Sequence, residues 1–452
     1  MPIKDAGAPL AMTEIVAEFG DTELAHKLRE YYGGEYSPSS DFAIPDGATG
    51  SIVGSSWRNQ IYNCPGYPRK FLRVFPWDSG LFTTIYEYTA SPNPTHTQLS
   101  HTHHALSHNL SGFTQTAWLD DTHFVTVTGP GMGFSGNVSE GRQVVLCSVD
   151  WATHVITKRD TTIVFYGMNT QTFVHGLSIA ASHDPVSGDS IVAISATETP
   201  LYPDNSVRNG VFAILKYNGD TFLSKNEFTE MVSANAGVYL ESTRFVAVPG
   251  KYGSFVLFAK KDTWQHCFTE FLVNPTSLVS SYSLNQATTV SIGSGKQFVL
   301  VPSSSTPGDF VIYMAGGEYS NSRANRVSIC SVVFTPGASP GQLGYFSSPS
   351  ASTYLSTSMA STWRAGDIVT NTVRGVTSFI VAWQTESNSN HLHYSTGVLD
   401  EGTVTLDASG HQIWHDSTNL SQPGVISELA SNEYGQVLYI TDVTIHYGQL
   451  QT

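Results

Sequence analysis

One hairpin unit recurs along this chain, and it limits the fold more than any other feature. The unit is an apolar strand, a turn containing Asn, Asp, Gly or Pro, and a second strand. It reads VVLCSVDWATHVITKRD over 144–160, VFAILKYNGDTFLSKNEF over 211–228 and HCFTEFLVNPTSLVSSYSL over 266–284. It returns as SICSVVFTPGASPGQLGYF over 328–346 and LHYSTGVLDEGTVTLDA over 392–408. A different strand–turn–strand unit precedes it, for example TRFVAVPGKYGSFVLFAKK (243–261), KQFVLVPSSSTPGDFVIYMAG (296–316) and GDIVTNTVRGVTSFIVAWQT (366–385). Four strands at roughly 50–65 residues per repeat is close to the spacing of propeller blades, which run near 40–50 with short loops. A pair of β-sandwiches is the competing arrangement.

The expected fold is therefore all-β, a β-propeller. Five repeats lie between about 111 and 413. The remaining strands, FLRVFPWDSGLFTTIYEYT (71–89) and EYGQVLYITDVTIHYGQ (433–449), can form a sixth blade from both chain ends. Such pairing closes the ring and removes exposed sheet edges. Six blades is the favoured count and seven the alternative. The body is assigned to 69–452. Residues 37–68 read as an irregular linker, with Pro38, Pro45, Pro65 and Pro68 and no sustained period.

Residues 1–36 differ from everything after them. Met12, Ile15, Val16 and Phe19 recur at helical spacing, and Gly20 can end that helix in the left-handed conformation. Asp21 can cap a second helix whose face carries Leu24, Leu28 and Tyr31, with Gly33 and Gly34 ending it. Two short amphipathic helices cannot bury their apolar faces alone, so they need a partner surface. The segment PLAMTEIVAEFGDTELAHKLREYYGGEYSP resembles the N-terminal attachment motif of bacteriophage tail and minor virion structural proteins. Pro9, Leu10, Ile15, Glu18, Phe19, Gly20, Leu24, Tyr31, Tyr32, Gly33 and Gly34 carry the likeness. The tail-fibre version tends toward Arg before the double glycine, where this chain has Tyr32. The resemblance implies a virion-docking arm on Leu10, Met12, Ile15, Val16, Phe19, Leu24, Leu28, Tyr31 and Tyr32, with turn glycines Gly20, Gly33 and Gly34. It covers about 30 residues of the chain and leaves the body unassigned.

Charge narrows the partners. Charged residues are 13% of the chain, against roughly 25% in ordinary soluble domains. Net charge is −15 and no dense Lys/Arg run occurs, which argues against nucleic acid and against a polybasic membrane binder. No run of about 18 apolar residues occurs, so no membrane insertion is expected. The N-terminus lacks an apolar signal region, so synthesis in a host cytoplasm and residence in a virion tail are expected. Cys64, Cys147, Cys267 and Cys330 match no zinc or redox spacing and read as free core thiols.

Few residues suggest chemistry. The stretch THTQLSHTHHALSH (95–108) holds His96, His101, His103, His104 and His108. His101 and His103 would project to one side of an extended strand, a spacing that can offer two imidazoles to a metal. A solvated loop between blades is the plainer reading. No other cofactor is expected. His391 and His393 repeat the spacing in a strand where packing explains them better. Asp120 and Asp121 read as turn formers, and Asp204 follows Pro203. A sialidase-like site would need converging arginines, whereas Arg58, Arg69, Arg73, Arg142, Arg208, Arg244, Arg364 and Arg374 are scattered. WDSGLFTTIY (77–86) reads as an ordinary turn rather than an Asp-box. Trp118, Trp151, Trp264, Trp363, Trp383 and Trp414 suit the wedges between blades. The functional expectation is a non-enzymatic phage tail component of fibre, spike, collar or baseplate. Its partners would be other tail proteins, further copies of itself, and a host surface glycan or receptor. A glycan-cleaving tail enzyme is the alternative.

Overall fold

Alternation between buried and exposed residues is strong at the outer strands and vanishes at the inner ones. The strand 142–150 is buried along nearly its whole length, while its neighbour 155–164 is mostly exposed. A strand covered on both faces must read as a continuous apolar run, so each sheet has a sheltered interior and a wet outer edge. This computed structural model describes residues 42–43, 49–51, 60–77, 80–89, 95–106, 114–128, 141–166, 177–198, 209–230, 244–260, 266–283, 288–290, 298–320, 323–339, 341–355, 367–373, 375–384, 392–415, 428–431, 435–440 and 444–450. The chain divides into two units, Met1–Ser39 and Ser40–Thr452. The first unit, with its expected helices, docking residues and turn glycines, lies outside the described residues.

The second unit is a seven-bladed β-propeller. Among the described residues its strands form seven antiparallel sheets, six of them meanders of consecutive strands. Blade 1 is 60–64, 67–77, 80–89 and 95–105; blade 2 is 114–118, 123–128, 142–150 and 155–164. Blade 3 is 178–183, 189–198, 209–218 and 221–230; blade 4 is 244–247, 254–260 and 266–273, edged by 280–281 and 288–290. Blade 5 is 298–302, 310–320 and 323–335, edged by 345–346 and 353–354; blade 6 is 367–373, 376–384, 392–400 and 403–415. Blade 7 joins 428–431, 436–440 and 444–450 to two short strands from the start of the body, 42–43 and 49–51.

The core follows the same cycle. Separate hydrophobic clusters fill the gaps between blades 1 and 2, 2 and 3, 3 and 4, 4 and 5, 5 and 6, and 6 and 7. A further cluster joins Ile61, Phe71, Tyr86 and Tyr88 of blade 1 to Ala430, Leu438, Ile445 and Tyr447 of blade 7. That last cluster closes the ring. Burying one such side chain stabilises by roughly 1.5–3 kcal/mol, and every blade contributes residues to two clusters. Closure is also made through the backbone, with Phe42 opposite Leu450 and Gly50 opposite Ile445.

Three expectations change here. The ring has seven blades, the alternative count rather than the favoured six. Strands within 71–89 do not share a sheet with 433–449: they belong to blade 1, complete in 60–105. The strands that pair with the C-terminus come from 42–51, inside the segment read as a linker, and 60–64 from that segment is the inner strand of blade 1. The segment escaped notice because FA and TGS are too short to show a period. All four cysteines are buried and free, as their apolar surroundings suggest.

Candidate functional site

In a four-stranded meander, the turn between strands one and two and the turn between strands three and four emerge at the same end of the sheet. These two sets of turns make one edge of the propeller, here the turn edge. The connections between strands two and three, and from blade to blade, attach at the opposite end. Several of these are long, including 129–140, 199–208, 231–243 and 416–427, and lie outside the described residues.

The turn edge is cross-linked. Between blades 1 and 2, 2 and 3, 4 and 5, and 5 and 6, the first turn region of one blade reaches the second turn region of the next, and between blades 3 and 4 a third-strand lysine does so. Tyr67 of blade 1 stacks on Trp151 of blade 2, with ring centroids 4.0 Å apart. His123 of blade 2 meets Asp220 of blade 3, Nε2 to Oδ1, at 3.1 Å. In blade 3, Lys216 pairs with Asp189 at 2.8 Å and donates to the carbonyl of Pro275 in blade 4 at 3.3 Å. Lys251 of blade 4 donates to the carbonyl of Gly337 in blade 5 at 3.0 Å. The Glu401 carboxylate of blade 6 accepts from the Ser303, Ser304 and Ser305 hydroxyls of blade 5 and from two backbone N–H groups there.

Two of these latches have distinctive electrostatics. Asp120 Oδ1 accepts the backbone N–H groups of Thr122 at 2.7 Å and His123 at 2.8 Å, and Asp120 Oδ2 lies 2.8 Å from His123 Nδ1. These bonds outweigh the cost of burial and hold the Asp120 carboxyl well below its ordinary range. The same contact raises the His123 pKa, helped by Asp220, and the ring lies between two carboxylates. Arg159 Nε also reaches Asp220, at 3.0 Å. Glu401 is drawn down to about 2, chiefly by the Ser304 hydroxyl. It adopts this position at a positive φ of 41° beside Gly402 at 90°, the two-residue turn whose twist matches a β-hairpin.

Glu270 is the most deeply placed. It is 1% exposed. Its Oε1 accepts from Lys251 Nζ at 2.8 Å and Ser254 Oγ at 2.6 Å. Its Oε2 accepts from the backbone N–H of Gly337 at 3.2 Å and from that of Gly344. A Cβ at Gly344 would stand 2.4 Å from the Thr335 carbonyl oxygen and 2.8 Å from that carboxylate, so this approach requires glycine. Blade 4 thereby grips the last hairpin of blade 5.

The histidine-rich stretch is a strand, not a loop: Thr95–Ala105 is the fourth strand of blade 1. His101 and His103 share a face, as the spacing predicted, and both stack on Phe82, at 5.5 and 4.6 Å between centroids. Phe75 continues the stack at 5.1 Å from Phe82, and the Arg73 guanidinium lies over Phe75 at 4.2 Å. His101 Nδ1 bonds Thr84 Oγ1 at 2.8 Å. Burial, then Arg73 and His103, lowers the His101 pKa, which favours the neutral imidazole a metal needs. The pair offers two ligands; among the described residues no group of three or more His, Cys, Asp or Glu is arranged to hold an ion. His104 points the other way, is buried, bonds Thr83 at 2.9 Å, and is pushed down to about 4 by burial.

Several of the remaining candidates pack within the fold. His393 is buried and stacks on Trp383. Trp118, Trp151, Trp383 and Trp414 pack in clusters between blades. Arg73 and Arg142 are buried in separate sheets, and Arg244 donates to the carbonyl of Leu177 at 3.1 Å. His391, Asp204, Arg58, Arg208, Arg364, Arg374, Trp264 and Trp363 lie outside the described residues. Sequence reasoning passed over Glu270, Glu401, Asp220 and Lys216. One signal was available: aligned hairpin units put Asp150, Asn218, Asn274 and Asp400 at the same turn position.

No protein-family model matches the chain, and no curated protein matches it. Among solved structures it is similar to a putative 6-phosphogluconolactonase from Bacteroides uniformis at 13% identity and a TM-score of 0.47, over 82% of this chain and 89% of that one. It is similar to AofleA from Arthrobotrys oligospora at 8% identity and a TM-score of 0.43, over 85% and 92%. It is also similar to the parainfluenza virus 5 hemagglutinin-neuraminidase at 8% identity and a TM-score of 0.38, over 92% and 93%.

Proposed function

We propose that the chain is a structural, receptor-facing component of a phage tail. Residues 1–36 anchor it to other tail proteins, and the propeller presents its long connections to a host surface glycan or receptor. Further copies of the chain complete the assembly. The observation behind this reading is the contrast between the two ends of the propeller. One end is made of short turns latched from blade to blade. The other carries long connections rich in Gly, Ser, Asn and Pro, such as GPGMGFSGNVSE over 129–140. A rigid scaffold with long loops at one end suits recognition. Two features support assembly: the apolar arm that needs a partner surface, and a body that begins at Ser40 as a separate unit.

The test is direct. Particles from the source of this sequence are purified and their proteins identified by mass spectrometry. The chain is expected among the tail proteins, and purified full-length protein is expected to compete with particles for adsorption to host cells. Replacing 129–140 with a short Gly-Ser turn should abolish competition while leaving the thermal midpoint unchanged. Absence of the chain from particles, or turnover of host polysaccharide by the purified protein, would overturn the reading.

A further inference from the structure

The turn edge of blades 2 to 4 carries residues that turns usually lack. Tight turns favour Gly, Pro, Asn, Asp and Ser. Here Val186 is 93% exposed in the first turn of blade 3, and Val279 is 57% exposed in the second turn of blade 4. Val155 and Leu223, each about half exposed, follow the second turns of blades 2 and 3. A single exposed aliphatic is ordinary, but these four stand along one edge of three successive blades.

The turns that bear them are stitched together. Arg159 of blade 2 reaches Asp220 of blade 3. Asn218 Nδ2 donates to the Ser187 carbonyl at 3.3 Å and to Asp189 at 2.8 Å, which ties the two turns of blade 3. Asn226 Nδ2 donates to the Leu278 carbonyl of blade 4 at 3.0 Å, beside the Lys216 bond to Pro275. Val186 itself is fixed by its N–H, which donates to Asp184 Oδ1 at 3.0 Å. Asn274 N–H donates to the Val279 carbonyl at 2.9 Å. The apolar side chains thus stand on a surface that needs no ordering to bind.

Charge identifies what fits. Asp121, Asp150 and Asp184 edge this surface without a Lys or Arg ion-pair partner among the described residues, whereas the nearby cations are engaged. Lys216 pairs with Asp189, Lys225 with Glu227, Arg159 with Asp220, and Lys158 donates to the Ala105 carbonyl. The surface is apolar with an anionic rim. A second copy would bring carboxylates against carboxylates, and nucleic acid would bring phosphates.

We propose that the turn edge of blades 2 to 4 is a docking surface for another protein whose contact face is basic and aliphatic. This rests on the reading that the chain works inside an assembly, and it gives the body a contact of its own, opposite the long connections. The test places a photo-crosslinking amino acid at Val186 or Val279 of the full-length chain, in the cells that produce it. Control positions are Val333 and Tyr354, exposed on blade 5. The expected result is crosslinking from 186 and 279, not from the controls, to a Lys/Arg-rich peptide of a different protein. Asp121→Lys should lower the yield about fivefold, because rim charges mainly govern encounter. Val186→Ser with Val279→Ser should weaken binding of that protein about a hundredfold, at roughly tenfold for each valine uncovered. Crosslinking to a second copy or to an acidic peptide, or no crosslink at all, would overturn the proposal. Absence of the chain from purified particles would overturn only the tail reading, since the crosslink is scored in producing cells.

Discussion

Glu270→Ala should be among the most damaging single substitutions in the body, and its cost can be worked from contacts. The carboxylate accepts from Lys251, Ser254 and the N–H groups of Gly337 and Gly344. Alanine leaves two backbone donors at the blade 4–blade 5 seam without an acceptor, at about 1–3 kcal/mol each. Lys251 is 29% exposed, so it can turn to water and adds little. The sum is about 2–6 kcal/mol. A body of roughly 400 residues unfolds with an entropy of about 0.9 kcal/mol/K, at about 2.1 cal/mol/K per residue, so the thermal midpoint should fall by about 2–7 °C. Glu270→Gln should cost only about 1–2 kcal/mol, because its carbonyl can still accept from the glycine N–H groups. Urea unfolding followed by tryptophan fluorescence, with calorimetry, measures both. A Glu270→Ala loss under 1 kcal/mol, or equal losses for the two variants, would refute the clamp.

Three further outcomes follow from the latches and the core. His123 has a raised pKa, so its clamp on Asp120 and Asp220 contributes fully below about pH 6.5 and is lost as pH rises through the folded value. Wild type should lose up to about 1 kcal/mol more than His123→Gln between pH 6 and 9, the pair with Asp220 being water-exposed; parallel urea curves would contradict this. Glu401 works in the opposite sense: its lowered pKa of about 2 gives stability above about pH 4.5 that fades toward pH 2. Glu401→Gln should flatten the acid limb of the thermal midpoint, and an unchanged limb would count against the serine latch. Burial pushes the Cys64 thiol up, and Cys147 up to about 12. A thiol reagent should therefore label neither before unfolding, whereas labelling of folded protein at neutral pH would show the core to be open.

The legible parts of this structure were those written as repeats. The hairpin units at 144–160, 211–228, 266–284, 328–346 and 392–408 overlay the third and fourth strands of blades 2 to 6. They were visible because the third strand, covered on both faces, is a continuous apolar run. The blade count was harder to read because closure depends on strands of two and three residues, which no periodicity can reveal. The spacing of His101 and His103 gave their shared face correctly. The stacking of His103 on Phe82 depends on Gly80, where a Cβ would stand 1.9 Å from His103 Nε2, a contact made across strands. Glu270 was illegible for a similar reason: it reads as a lone charge in CFTEFLV, and the glycines that satisfy it lie more than sixty residues further along the chain.

Closure of the ring depends on the two short strands that complete blade 7. If residues 42–51 are the outer strands of blade 7, deleting 1–36 should leave amide-exchange protection of 436–450 intact, while deleting 1–51 should collapse it and lower the thermal midpoint by several degrees. Equal protection and equal midpoints in the two truncated chains would contradict the closed propeller.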